Sequence, residues 1–395
     1  MKKALAVAIC FATITLLLTP QLHSDDQIKN KILKLFPQAD ANGDGVLSES
    51  EYESVLNRAI KKYPQADRDG DGTLSVAEQT AILKRAASKK RGQKNKTDQD
   101  ARSVDATMTQ AGATVEVYKK TTDSEGQPVE LRIYIFNPDG HQAQDSKPAI
   151  VFFFGGGWKG GSPSQFLFQC KYLAERGMVA MAADYRVLSR QGTKVIACVS
   201  DGKSAVRWIR ANAERLGVDP NKVAAGGGSA GGHVAACTGV IKTLDEPSED
   251  SNISSKPNAL VLFNPGLVLA PVEGSPKISK EAEKKLAQLQ ERVGADPKTI
   301  SPAHHVSGSA PPTIIFHGKE DKTVPYLTAE VFTKRMTDSG NICELLGYDG
   351  QGHGFFNSRS KSGKYEETLK EMDRFLVQQG FITPRQATLE DRAKK

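Results

Sequence analysis

No Cys-x-x-Cys pair occurs in this chain, and its five cysteines (Cys10, Cys170, Cys198, Cys237 and Cys343) are scattered singly through 395 residues. That spacing argues against a zinc site. Aromatic residues are scarce at 7%, and no basic stripe is interleaved with them, so nothing implies a nucleic-acid partner. The apolar run Ala4–Leu18 is too short to span a bilayer comfortably. It follows Lys2 and Lys3 and precedes a polar stretch, which is the pattern of a secretory signal cut near Ser24. Residues 1–24 are therefore expected to leave a secreted or periplasmic protein with no stable membrane span. Its formal charge would fall from +7 to +5, because only Lys2 and Lys3 leave. In an exported chain some of the remaining four cysteines can pair, Cys170 with Cys198 being the pairing expected here.

What is present begins with a duplication. Phe36–Glu51, FPQADANGDGVLSESE, recurs 27 residues on as Tyr63–Glu78, YPQADRDGDGTLSVAE. Both copies fit the EF-hand loop D-x-[DN]-x-[DN]-G-x5-E. In the first, Asp40, Asn42 and Asp44 offer side-chain oxygens, Val46 a carbonyl and Glu51 a closing carboxylate. In the second, Asp67, Asp69, Asp71, Thr73 and Glu78 stand at the same offsets. Ser48 and Ser75 sit where a bridging water is usual, and Gly45 and Gly72 allow the sharp bend. Hard oxygens in this order suit Ca²⁺. Residues 25–88 are expected to form an EF-hand pair, with Leu47 and Leu74 facing each other and one helix shared between the loops. No Met-rich groove accompanies them, so a structural role is expected. From 89 to 105 the chain is cationic and hydrophilic, and a flexible linker is expected there.

Beyond it, eight apolar or β-rich runs recur: ATVEVY, LRIYIF, AIVFFF, VAMAAD, KVAAGG, ALVLFN, TIIFHG and CELLGY. Helical patterns such as SAVRWIRANAERLG and LTAEVFTKRM separate the later ones. This order implies an α/β domain over 106–382 with a mostly parallel sheet, followed by a polar tail over 383–395. Sites in such folds lie at the carboxyl ends of the strands.

Three groups stand there. Gly227-Gly228-Ser229-Ala230-Gly231 fits G-x-S-x-G between the strand KVAA and the helix-compatible GHVAACTGVIK, the context of a nucleophile elbow. The glycine run after AIVFFF can turn the amides of Gly156 and Gly157, with that of Ala230, toward a developing oxyanion. A serine needs a base, and the base an orienting carboxylate. His353, in a Gly-flanked loop after CELLGY, is the candidate base. Asp321, after TIIFHG, is the candidate acid, with Glu320 and Asp349 as rivals. His233 lies inside the elbow helix and His317 ends a strand, so both read as structural.

With GGGW, DYR (Asp184–Arg186), GGGSAGGH, HGKEDKTVP and GHGFF assembled, residues from about Thr114 to Ile382 resemble an α/β-hydrolase. The resemblance is to the hormone-sensitive-lipase-like and acetyl xylan/feruloyl esterase branch. It implies an eight-stranded, mostly parallel sheet and a catalytic triad at Ser229, Asp321 and His353. It also implies an oxyanion hole at Gly156, Gly157 and Ala230, with no cofactor for catalysis. Where that branch places a histidine before the glycines, this chain has Phe154. The charged segment Gly266–Val306 reads as a poor lid for long lipids, so short acyl groups, such as acetyl on a polysaccharide, are the expected substrate, with feruloyl also open. Two other classes fit less well: a prolyl-oligopeptidase-like peptidase, which usually carries a large propeller, and a non-catalytic Ca²⁺-dependent binding protein on a hydrolase scaffold.

Overall fold

The computed structural model describes residues 26–273 and 290–385. The expected secretory signal, residues 274–289 of the charged segment and the end of the polar tail lie outside the described residues. Among those described, no helix is long and apolar enough to cross a membrane. The chain divides into two compact units, Met1–Ala101 and Arg102–Lys395.

In the first unit, helix α1 (residues 26–35) enters the first acidic loop and α2 (Glu49–Lys62) leaves it. Ser48 caps α2 through a capping box with Glu51, and Lys61 and Lys62 lie at the helix's negative end. The second loop leads into α3 (Val76–Gln110). Ile28 and Ile32 of α1 pack with Leu47, Tyr52 and Leu83 into a small core. Leu74 is buried too, as Leu47 is.

The flexible linker expected over 89–105 is not observed: those residues are helical and belong to α3. The segment holds no proline and a single glycine, Gly92. Its lysines, arginines and glutamines are good helix formers, and a high charge does not by itself exclude a helix. From Arg102 on, the residues of α3 belong to the second unit. Met108 is buried, and Asp105 accepts from Arg132 and from the Tyr134 hydroxyl, each at 2.8 Å.

The eight expected runs form eight strands: β1 (Thr114–Thr122), β2 (Pro128–Phe136), β3 (Lys147–Phe153), β4 (Val179–Ala183), β5 (Val218–Gly228), β6 (Ala259–Phe263), β7 (Thr313–Gly318) and β8 (Cys343–Tyr348). They make one sheet in the order β1-β2-β4-β3-β5-β6-β7-β8, antiparallel at β1–β2 and β2–β4 and parallel from β4 onward. This is the α/β-hydrolase fold. Strand alternation feeds two cores. Val151, Phe153, Met181, Ala225, Leu260, Leu262 and Ile315 face one; Ile150, Phe152, Ala180, Ala224, Val261, Phe263 and Phe316 face the other.

Helices described in full in this unit are, in chain order, α4 (Leu167–Glu175), the short α5 (Leu188–Gln191), α6 (Val195–Ala211), α7 (Ala230–Val240), α8 (Tyr326–Asp338) and α9 (Tyr365–Gln378). α6, α7 and α8 cover the first core, whereas α4, α9 and the end of α3 cover the second. Helix α6 begins nine residues before the helical pattern at Ser204. Its early polar residue Asp201 is fully buried and paired with Arg186 at 2.8 Å and Lys119 at 2.9 Å.

The expected Cys170–Cys198 disulfide is absent, and Cys170, Cys198, Cys237 and Cys343 are all free thiols. Cys170 lies in the second core and Cys198 in the first, with the sheet between them.

Candidate active site

Strand β5 runs into α7 through Ser229 alone, and the turn is sharp enough to force that residue to φ 54° and ψ −117°. A non-glycine residue in such a conformation is costly and persists only where its surroundings over-determine it. Here the Ser229 N–H donates to Phe263 O at 2.8 Å, and Ser229 O accepts from His233 N–H at 3.0 Å. The neighbouring glycines are required by space. A Cβ on Gly227 would lie 2.5 Å from the Gly231 carbonyl and 2.6 Å from Phe153 O.

His353, in the loop after β8, brings Nε2 to 2.9 Å from Ser229 Oγ, and its Nδ1 lies 2.7 Å from Asp321 Oδ2. Asp321 follows β7. Its Oδ1 accepts from the N–H groups of Thr323 at 2.8 Å and Val324 at 2.9 Å. Its Oδ2 also accepts from Asn264 Nδ2 at 3.1 Å, and His317 Nε2 lies 3.5 Å away. Burial pushes the Asp321 carboxyl up, but hydrogen bonds from His317, His353 and the Val324 amide outweigh it, so the group stays ionised well below the usual carboxylate range. The rivals sit elsewhere: Glu320 is exposed, and Asp349 pairs with Lys319 at 2.8 Å. Asn264, buried with φ 44° at the end of β6, carried no signal in the sequence.

The glycine loop after β3 uses positive φ at Gly156 (131°) and Gly157 (61°), and a Cβ on Gly156 would meet Gly160 O at 2.1 Å. Among the described residues, the N–H groups of Gly156, Gly157 and Ala230 donate to no protein acceptor. The loop is held from three sides. Phe154 is buried and stacks on Tyr185 at 4.2 Å, and the Tyr185 hydroxyl donates to Phe154 O at 2.6 Å. Arg292 donates to Gly157 O, with its guanidinium 5.8 Å from the centre of the Trp158 ring. Trp158 in turn donates its indole N–H to His233 Nδ1 at 3.2 Å.

That last bond leaves His233 Nε2–H to donate to Ile300 O at 2.7 Å, so the buried ring is neutral. Burial pulls His233 down to about 4, whereas an imidazole in an unfolded chain titrates near 6.5. Between those values the unfolded chain binds a proton that the fold refuses. Stability is therefore unaffected above about pH 6.5 and falls as pH drops toward 4. The gap corresponds to about 3–4 kcal/mol at about 1.4 kcal/mol per pH unit. Urea denaturation at pH 7, 6, 5 and 4 should show this slope, and a His233→Gln variant should lose it; equal slopes would assign the effect to another group.

In the first unit, the carboxylates of both acidic loops accept hydrogen bonds from N–H groups of their own loop. Asp40 Oδ1 and Oδ2 accept from the N–H groups of Gly43 at 2.7 Å and Gly45 at 2.8 Å, and Asp44 Oδ1 accepts from Val46 N–H at 2.8 Å. Glu51 reaches back to Ala41 N–H at 2.8 Å and Ser48 Oγ at 2.6 Å. The Ser48 side-chain and backbone bonds lower the Glu51 carboxyl to about 2. In the second loop, Asp67 Oδ1 accepts from Gly70 N–H at 2.7 Å and Glu78 Oε2 from Ser75 Oγ at 2.7 Å. Oxygens of Asp67, Asp69 and Asp71 lie within 4.8 Å of one another. Thr73 N–H donates to Asp71 Oδ1 at 2.7 Å, and Asn42 Nδ2 donates to Asp44 Oδ2 at 2.9 Å. Convergent hard oxygens of this kind fit a Ca²⁺ ion.

Against known proteins, a family model described as BD-FAE matches residues 133–336, and an EF hand model matches residues 33–56, the first acidic loop. Esterase LipC of Mycobacterium tuberculosis is 28% identical over 218 residues, 53% of this chain and 53% of that protein. Isoprenylcysteine alpha-carbonyl methylesterase ICME of Arabidopsis thaliana is 28% identical over 242 residues, 56% of this chain and 54% of its own. The chain thus spans about half the length of the curated relatives it matches. Among solved structures, Thermogutta terrifontis Est2 with butyrate bound is 49% identical, with a TM-score of 0.65, covering 70% of this chain and 97% of that one. Its propionate-bound form is 51% identical with a TM-score of 0.64 over the same shares. The chain belongs to the BD-FAE family, and its second unit is an α/β-hydrolase domain of the serine ester hydrolase kind.

Proposed function

As a member of that family, we propose, this protein is a carboxylesterase that cleaves short-chain acyl esters through Ser229, His353 and Asp321. The hydrogen-bonded line from Ser229 Oγ through His353 to Asp321, at 2.9 and 2.7 Å, carries the reading. With Asp321 accepting from Nδ1–H, the Nε2 lone pair faces the serine hydroxyl. Ser229 Oγ attacks the ester carbonyl carbon as its proton passes to His353 Nε2. The negative oxygen that forms is met by the amides of Gly156, Gly157 and Ala230. Collapse expels the alcohol, protonated by His353, and leaves an acyl-enzyme. Water then attacks, giving its proton to His353, and the acid leaves with Ser229 restored. Losing one oxyanion donor in such a site typically costs about 2.7–4 kcal/mol.

The propionate- and butyrate-bound forms of the Thermogutta esterase support short acyl groups. Acetyl groups on a polysaccharide, met outside the cytoplasm by a secreted or periplasmic enzyme, are the natural substrate we infer. We also assign Ca²⁺ to the two acidic loops as a structural ion, held by Asp40, Asn42, Asp44, Val46 and Glu51 and by Asp67, Asp69, Asp71, Thr73 and Glu78. Hydrolysis of p-nitrophenyl acetate, butyrate and octanoate, and acetate release from acetylated xylan, with Ca²⁺ and with chelator, test this. Acetate or butyrate should exceed octanoate at least about tenfold in kcat/KM, and chelation should lower the melting temperature while leaving turnover unchanged. A preference for octanoate would overturn the substrate class; no turnover of any ester would overturn the esterase reading.

A further inference from the structure

Two side-chain amides far apart in sequence join the glycine loop to the histidine loop. The Gly155 N–H donates to Gln165 Oε1 at 2.6 Å. Gln165 Nε2 donates to Asn357 Oδ1 at 3.0 Å, across 192 residues of sequence. Asn357 Nδ2 then donates to Gly354 O at 2.8 Å. Gly155 precedes Gly156, and Gly354 follows His353. The N–H of Gly354 donates in turn to Asn264 Oδ1 at 3.3 Å, whose Nδ2 holds Asp321. Each amide has its orientation dictated: a backbone donor at one end and a backbone acceptor at the other leave Gln165 and Asn357 one way round.

The consequence is mechanical. The imidazole delivers its proton at one atom of the reacting group while the glycine amides hold another, and a 1 Å misplacement can cost about a hundredfold in rate. Loops leaving two different strands, β3 and β8, would set those positions independently without a link between them. We propose that Gln165 and Asn357 are positioning residues that lock the oxyanion loop and the His353 loop into one register. Neither touches the reacting atoms. The proposal rests on the esterase reading above.

A double-mutant cycle in the full chain tests it, using Gln165→Met, Asn357→Leu and the pair together, with p-nitrophenyl acetate as substrate. Each single change should lower kcat about tenfold with KM held within about twofold. The double variant should be no slower than the slower single, because either break already severs the link. Gln165→Glu covers the case in which Gln165→Met fails to fold. It keeps an acceptor for Gly155 N–H but cannot donate to Asn357, so it should lose as much kcat as Asn357→Leu, and adding Asn357→Leu should cost nothing more. Losses that multiply to about a hundredfold, or a lowered melting temperature with kcat unchanged, would overturn the proposal. Failure of the wild type to hydrolyse the ester would instead overturn the esterase reading.

Discussion

Ser229→Ala is expected to lower kcat toward p-nitrophenyl acetate by about 10⁴- to 10⁶-fold, the range seen when a serine hydrolase loses its nucleophile. The backbone should not notice. Alanine at φ 54° is no more comfortable than serine, and the bonds from Ser229 N–H to Phe263 O and from His233 N–H to Ser229 O do not involve Oγ. A melting temperature within a few degrees of wild type would therefore accompany the loss, separating chemistry from folding. His353→Ala should cost a similar factor, and the two changes together should cost little more than either alone, because serine and histidine act as a unit. Asp321→Asn should cost about 10⁴-fold, since an amide facing Nδ1 favours the wrong tautomer. Retention of more than a few per cent of wild-type turnover by Ser229→Ala would remove Ser229 from the mechanism.

Gly231→Ala should be the most damaging change to the fold near the site. Its Cβ would fall 2.0 Å from Phe153 O and 2.4 Å from both Phe153 C and Phe154 O. All three atoms are backbone, at the point where β3 becomes the glycine loop, so no rotamer change relieves the clash. Overpacking in a core usually costs about 1–3 kcal/mol, but this contact exceeds what side-chain adjustment absorbs, and a loss above about 4 kcal/mol is expected. Against a typical total of about 5–15 kcal/mol, the variant should melt more than about 10 °C lower or fail to accumulate as soluble protein. Gly352→Ala is the matched control, beside His353 but with nothing within 4 Å of the added methyl. Its melting temperature should equal that of wild type. Equal melting of Gly231→Ala and wild type would mean that α7 can withdraw from β3.

These two glycines show what a sequence can and cannot disclose. The eight strands were legible because each is an apolar run bounded by turn residues. The elbow was legible because G-x-S-x-G stood between a strand and a helix pattern. His353 and Asp321 could be placed because both sit in short loops after recognisable strands. What could not be read was pairing at a distance. Nothing local marks Gln165 as the partner of Gly155 and Asn357, or Arg292 as the donor to Gly157 O. Asn264 looks like an ordinary strand end, and its role depends on β6 lying beside β7. The helix over 89–105 was hidden for a different reason, since high charge resembles a solvated tether whether or not the backbone is regular. Phe154 was legible as a departure, but its remedy, the ring and hydroxyl of Tyr185, comes from the end of another strand.

The four free thiols carry one more consequence. Cys170, Cys198 and Cys237 are buried, two of them on opposite sides of the sheet, and burial pushes each thiol up, away from its reactive thiolate form. Cys343, half-buried beside Thr333, is held up in the same way, to about 12. None of the four supplies a crosslink that a reductant could cut or an oxidant must make. The architecture of the second unit thus leans on no sulfur bond that a change of redox surroundings would make or break, and is held by packing and by buried polar pairs such as Asp201 with Arg186 and Lys119.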